Sequence, residues 1–180
     1  MRTWLAGLVF AAALLFAAPS AASVHYGIEV PDEIEVVYPA AEPGEPNGGF
    51  LSPGTYCSWF YCEVNTTPTI YLWHGAGVPD SIMRMILWHE IGHYDQWKRM
   101  GEAYRPWYRE NPVRAEWDAD VYQIRASCEA GIDPTRTIWD MWSWVFLDGY
   151  EGDDNHGTLL ERIEHALLAI PTSCGGAQSE

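Results

Sequence analysis

Residues 89–93 spell H-E-x-x-H within a stretch whose apolar spacing predicts one continuous helix over residues 81–100. Positions four apart project from the same face of a helix, so the imidazoles of His89 and His93 can reach a single metal ion. Glu90 then lies beside that ion without ligating it. The pattern predicts a Zn2+ site that lowers the pKa of a bound water, with Glu90 as the general base that takes its proton.

Only three of the five motif positions are fixed, so the string also arises by chance. In that case the chain would be an exported, disulfide-stapled interaction domain. The flanking residues favour the helix instead, because Asp80 or Ser81 can serve as its N-cap and Gly101 supplies a C-terminal stop.

A catalytic zinc site normally has three protein ligands and leaves the fourth position for water, so a third ligand is needed. Metzincin-like proteins carry Gly and His where this chain has Gln96 and Arg99, which excludes that class. Downstream, the Asn-Pro pair at 111–112 predicts the start of a second helix. Glu116 and Asp120 lie on one face of that helix, four positions apart.

Residues 116–120 read E-W-D-A-D. Together with H-E-x-x-H they resemble the E-x-x-A-D third-ligand motif of small gluzincin zinc metallopeptidases. The resemblance implies that Glu116 is the third ligand and that Asp120 hydrogen-bonds His89. The second role also has a physical basis, since a metal-bound histidine usually donates its other N–H to a carboxylate. Asp118 lies about 100 degrees away around the helix and is the weaker candidate.

Residues 155–163 resemble the H-P-(S/T)-x-x-x-R-I segment of small membrane-type gluzincins, with Gly157 where that pattern has Pro. The resemblance implies that His156 approaches the site and stabilises the oxyanion of a tetrahedral intermediate. The alternative is a surface histidine just before a helix whose N-cap is Thr158. The whole resemblance covers roughly residues 70 to 170.

Residues 1–22 are predicted to be a signal peptide. Arg2 gives a positive n-region, residues 5–18 are apolar, and small residues precede a cleavage site after Ala22. A membrane anchor would need about 20 apolar residues and is disfavoured by Pro19. We therefore expect a secreted protein, extracellular or in another exported compartment, with no stable membrane insertion after cleavage.

Residues 23–180 are expected to form one α+β zincin-like domain with a small twisted sheet, the H-E-x-x-H helix, the third-ligand helix and C-terminal helices. Within it, residues 23–50 can be a loose N-terminal segment. The patterns predict strands within 27–37 and 66–73, a loop at 39–53, and helices at about 133–148 and 159–170. The strand before the motif helix is expected to be the sheet edge that holds an extended substrate.

The four cysteines are an even number, as expected for an exported protein with two disulfides, and three pairings are open. Cys57 and Cys62 are spaced for a bridge that closes a short hairpin loop. That choice would leave Cys128 to bond Cys174.

The chain has 25 acidic and 10 basic residues, a net charge of -15, so nucleic acid is not an expected partner. We expect a monomeric zinc metallopeptidase, an endopeptidase, that acts on protein or peptide substrates with Zn2+ as cofactor. The alternative is a non-catalytic zinc-containing binding module on the same scaffold. Glu90 argues against it, because a structural zinc site is usually closed by four protein ligands and needs no base.

Overall fold

The computed structural model describes residues 23–39, 48–52, 55–58, 61–64, 67–73, 78–147 and 152–174. The helices are α1 (Asp80–Met100), α2 (Tyr104–Glu110), α3 (Pro112–Glu129), α4 (Pro134–Leu147) and α5 (Leu159–Cys174). The strands are β1 (Ser23–His25), β2 (Ile28–Val30), β3 (Glu35–Val37), β4 (Gly48–Ser52), β5 (Thr55–Ser58), β6 (Tyr61–Val64), β7 (Thr69–Trp73), β8 (Gly152–Asp153) and β9 (Gly157–Thr158). Helices combined with small sheets confirm the predicted α+β class.

The motif helix α1 agrees closely with the range predicted from sequence. It begins one residue earlier, with Pro79 rather than Asp80 or Ser81 as the N-cap. Gly101 ends it, as predicted, with a left-handed φ of 57° and its N–H bonded to the carbonyl of Trp97. A positive φ of this kind suits glycine, because a side chain would crowd the backbone there.

The ends of the other helices follow local chemistry. Asn111 is the N-cap of α3 and Pro112 its first residue, as the Asn-Pro pair predicts. Before α5, Thr158 and Glu161 bond each other's backbone N–H in a capping box. The sequence analysis did not predict α2, because seven residues are too few to show a helical period.

The three-stranded sheet has the order β3-β7-β4, with β3 parallel and β4 antiparallel to β7. The prediction that residues 66–73 form the substrate-binding edge is therefore wrong. Thr69, Ile70 and Leu72 are all buried, as expected for a strand covered on both faces. Within the described residues the edges of this sheet are β3 and β4, and the sequence predicted a loop where β4 lies. The glycines of β4 predict a turn, but pairing with β7 makes this segment a strand. The local sequence does not show that pairing.

Two pairs of cysteines come close in the fold. In the β5–β6 hairpin, the backbone register places Cys57 opposite Cys62, while their side chains lie outside the described part of the structure. The sulfur atoms of Cys128 and Cys174 are at disulfide distance, with their Cα atoms 5.4 Å apart, in agreement with the predicted pairing. This link joins the C-terminal end of α3 to that of α5.

The N-terminal segment packs into the core where it is described. Ile28, Val30 and Ile34 are buried and belong to the same apolar cluster as β7 and α1. The predicted signal peptide, residues 1–22, lies outside the described residues. In the part of the chain that is described, no helix is both long and apolar enough to cross a bilayer.

Helices α1 and α3 cross at very short range at Gly92. A Cβ atom on Gly92 would lie 3.0 Å from the Cα of Ala119 and 3.1 Å from its carbonyl oxygen. It would also lie 3.1 Å from the Cβ of Tyr122. Two of these neighbours are backbone atoms, which cannot rotate away. The small residues inside both motifs therefore let the two helices approach closely enough for side chains to meet between them.

Enlarging Gly92 should separate the helices. We expect Gly92→Val to lower the free energy of unfolding by about 1–3 kcal/mol, as overpacking does elsewhere. Gly92→Ala should fail to give the gain of roughly 1 kcal/mol that alanine brings to an open helix. Denaturant unfolding of the metal-free protein measures both changes. A Gly92→Val protein as stable as the native chain would contradict the packing account.

Candidate metal centre

Helix α1 presents His89 and His93 toward α3, one turn apart on the same face. Their Nε2 atoms are 3.1 Å apart, and the two rings are nearly perpendicular. Both side chains are largely shielded from solvent, with 12% and 8% exposure. The spacing predicted from sequence thus brings two imidazole nitrogens to one point.

Glu116 reaches the same point from α3, as predicted. Its Oε2 lies 3.1 Å from the Nε2 of His89, and its Oε1 lies 3.2 Å from the Nε2 of His93. All three residues offer a ligand atom within 4.8 Å of the others, so they could hold a metal ion. The crossing at Gly92 makes this convergence possible.

The donor separations fit a small tetrahedral cation. Ligand bonds of about 2.0–2.1 Å in a tetrahedral site place neighbouring donors about 3.3 Å apart. The separations around His89, His93 and Glu116 are 3.1–3.2 Å. The two Glu116 distances are to different oxygens, Oε2 toward His89 and Oε1 toward His93, so three residues border one point, and a tetrahedral ion there would have a fourth position for another ligand.

The outer nitrogen of His89 is held by a carboxylate, also as predicted. Its Nδ1 lies 3.0 Å from Oδ1 of Asp120. Arg162, on α5, donates from Nε and Nη2 to the two oxygens of Asp120 at 2.9 and 2.7 Å. The guanidinium also lies 4.7 Å from the ring centre of Trp142. Since Arg162 already supplies donors, Asp120 acts as an acceptor for the Nδ1–H of His89, so the neutral imidazole has its lone pair on Nε2, which faces inward.

The outer nitrogen of His93 has a neutral partner. Its Nδ1 lies 3.2 Å from Oε1 of Gln96, and the Gln96 amide donates to the carbonyl of Ala115 at 2.7 Å. The hydroxyl of Tyr104 is farther from the same nitrogen, at 3.5 Å. Both motif histidines therefore point Nε2 at the centre and Nδ1 away from it.

Tyr108, on α2, borders the third ligand. Its hydroxyl donates to Oε1 of Glu116 at 3.1 Å. Burial and the charge of Glu116 raise the pKa of Tyr108 above its usual range, so the phenol stays neutral and remains a donor. Burial is also the largest cause of the raised pKa of Tyr104, to which the charge of Glu90 contributes. Glu90 itself is only 5% exposed.

The net negative charge of the site favours a bound cation. Glu90, Glu116 and Asp120 are nearly inaccessible to solvent, and buried Arg162 supplies one positive charge beside them. With the carboxyl groups ionised and the imidazoles neutral, these four residues sum to -2, which a divalent cation would balance. Leaving such charge unbalanced away from water costs several kcal/mol per ion.

In the metal-free protein, bound protons balance part of this negative charge. Burial alone would lower the pKa of His89, but Asp120 and Glu116 outweigh it and raise that pKa to about 10. Burial would raise the pKa of Glu116, yet hydrogen bonds with His89 and His93 hold it well below its usual value. The pKa of Asp120 is likewise lowered: burial opposes this, and the Arg162 charge and the His89 hydrogen bond prevail.

His156 is placed differently from the other predicted site residues. It lies in the turn between β8 and β9, with a side chain 41% exposed and Nδ1 2.8 Å from the carboxylate of Asp153. It is not one of the three grouped donors, and its oxyanion role stays a prediction. The Thr158 capping box beside it matches the alternative of a histidine just before a helix.

Sequence reasoning missed three residues that contact the centre. Arg162 belonged to the R-I segment quoted for the resemblance, which could have marked it as a partner of an acidic residue. Gln96 appeared only as a departure from the metzincin pattern. Tyr108 lies on the helix α2 that was not predicted. The contacts of Arg162 and Tyr108 depend on how other helices pack, whereas Gln96 lies three positions after His93 on α1, a spacing that could have marked it.

Comparison of the chain with protein-family models, with curated proteins and with solved structures gives no match. A function must therefore be argued from the geometry of the centre.

The raised pKa of His89 predicts a proton release. Near pH 8 the metal-free imidazole is protonated because its pKa is about 10, whereas ligation requires the neutral form. Binding of Zn2+ at about pH 8 should release about one proton per chain, measured by titration calorimetry in buffers of different ionisation enthalpy. The same shift stabilises the metal-free fold fully below pH 6.5, and this stabilisation is lost as pH rises through about 10. Zinc binding without proton release would contradict this assignment.

Proposed function

We propose that this chain is a secreted zinc metallopeptidase of the gluzincin type, built on a zincin-like fold. The proposal is carried by three grouped donors that could hold a metal ion, together with buried Glu90, which follows His89 on α1 and whose charge acts on Tyr104 and Tyr108. His89, His93 and Glu116 are the proposed ligands, and Glu90 is the proposed general base. A centre with three protein ligands leaves room for water, whereas a purely structural zinc site is usually closed by four.

The donor set supports zinc as the metal. Two imidazole nitrogens and one carboxylate oxygen form the ligand set of several catalytic zinc sites. Calcium and magnesium favour all-oxygen surroundings, and softer ions favour thiolates. The charge balance at the centre also suits a divalent cation.

When bound, zinc would lower the pKa of a water molecule to about 7 and polarise the carbonyl group of a peptide bond. Glu90 would take a proton from that water as its oxygen bonds to the carbonyl carbon. As the carbon–nitrogen bond breaks, Glu90 would return the proton to the leaving amine. Asp120, held by Arg162, would keep His89 in the tautomer that points Nε2 at the metal.

The sheet offers a place for a protein or peptide substrate. Strand β4 is one of the two edges of the described three-stranded sheet, and helix α1 packs against both β4 and β7. An extended peptide that adds to the outer side of β4 would run close to the motif helix, held by backbone hydrogen bonds. We propose β4, in place of residues 66–73, as the strand that holds the substrate.

Export is the remaining part of the proposal. The Cys128–Cys174 pair suits an oxidising compartment, since disulfides rarely persist in the cytosol. It is also compatible with the signal peptide predicted for residues 1–22.

Replacing Glu90 tests the proposed chemistry. Glu90→Gln keeps the size of the side chain but cannot accept the proton, so it should retain one zinc per chain and lose about 100-fold or more of the activity. Digestion of a peptide library with and without chelator measures activity, and elemental analysis measures zinc. As a control, Glu110→Gln on α2 makes the same change at an exposed position and should keep full activity.

Two results would refute the peptidase. Native protein with one zinc per chain and no chelator-sensitive cleavage would favour the non-catalytic zinc-containing module. A fully active Glu90→Gln protein would show that Glu90 is not the base.

A further inference from the structure

We infer that Gln96 is a positioning residue of the metal centre, which orients His93 and ties it to the helix that carries Glu116. The inference rests on the metal site of the proposed function but not on catalysis by that site.

The amide of Gln96 has a defined orientation. Gln96 is 3% exposed, and its NH2 group donates to the carbonyl of Ala115 at 2.7 Å. Because a carbonyl can only accept, the nitrogen end of the amide must face Ala115 and the oxygen end must face His93. Nδ1 of His93, 3.2 Å from that oxygen, must then carry a proton. In the neutral imidazole this tautomer has its lone pair on Nε2, where a metal can bind.

One side chain therefore joins two ligand-bearing helices. Gln96 lies three positions after His93 on α1, and Ala115 directly precedes Glu116 on α3. A shift of either helix along the other would break one of the two bonds of the amide. Gln96 thus fixes both the rotation of an imidazole and the register of the third ligand.

The two motif histidines are held by different chemistry. Asp120 and Arg162 place a charged pair behind His89, whereas a neutral amide stands behind His93. The hydroxyl of Tyr104 also faces Nδ1 of His93, but at 3.5 Å it is the more distant partner. If the amide is removed, Nδ1 loses its nearest acceptor and His93 can adopt the other tautomer, whose Nε2–H cannot bind a metal.

Two substitutions separate the contact with His93 from the contact with Ala115. Gln96→Met removes both bonds and keeps the length of the side chain. Gln96→Glu keeps an acceptor for His93 but loses the donor to Ala115. The dissociation constant of Zn2+, measured by chelator competition, reports the effect on the site, and denaturant unfolding of the metal-free protein reports the effect on the fold.

We expect Gln96→Met to raise the zinc dissociation constant about 10- to 100-fold, the usual effect of losing a partner of a metal ligand. Gln96→Glu keeps the acceptor for His93 and should lose clearly less affinity than Gln96→Met, although both variants lose the Ala115 bond and should weaken the metal-free fold. As a matched control, Gln123→Met makes the same change at another buried glutamine, on α3, and should leave zinc affinity unchanged.

Native affinity in Gln96→Met would overturn the inference, and so would equal losses of affinity in Gln96→Met and Gln96→Glu. Equal losses would mean that Gln96 acts only as a tether between helices. An equal loss in Gln123→Met would show that any missing buried amide weakens the site. A native chain that binds no zinc would instead refute the metal site and the proposed function with it.

Discussion

The close crossing of α1 and α3 is the constraint on which the centre depends. Gly92 lies between the motif histidines and Ala119 lies between Glu116 and Asp120, so the smallest side chains occur where the two backbones meet. A larger residue at either position would move the carboxylates of α3 away from the imidazoles of α1. The motif histidines and Glu116 supply the ligand atoms, and Gly92 and Ala119 allow the short distance between the two helices.

Charge complements this packing. The buried carboxylates would be costly without partners, and Arg162 neutralises only one of them. Arg162 comes from α5, whose last residue, Cys174, is linked to the end of α3. The disulfide joins α3 to α5, and the buried ion pair between Arg162 and Asp120 extends through a hydrogen bond to His89 on α1. What remains is a negatively charged group of donors suited to a divalent ion.

The parts that sequence could predict are those encoded by local spacing. The range of α1, the start of α3 and the meeting of His89, His93 and Glu116 follow from helical periodicity and two short motifs. The contacts of Arg162 with Asp120 and of Gln96 with Ala115 depend on how helices pack, which no fixed spacing records. The same reason explains the error about the sheet edge, because β7 became a central strand only through pairing with β4, a segment distant in sequence whose glycines resemble a loop. The hairpin places His156 against Asp153, and its oxyanion role stays a prediction.

The most direct test of the account is zinc-edge X-ray absorption on the native protein, which measures the metal's ligands and their distances. The account predicts one zinc per chain with two imidazole nitrogens and one carboxylate oxygen at about 2.0–2.2 Å, together with a non-protein oxygen. A sulfur ligand near about 2.3 Å, or a spectrum unchanged by Glu116→Ala, would contradict it.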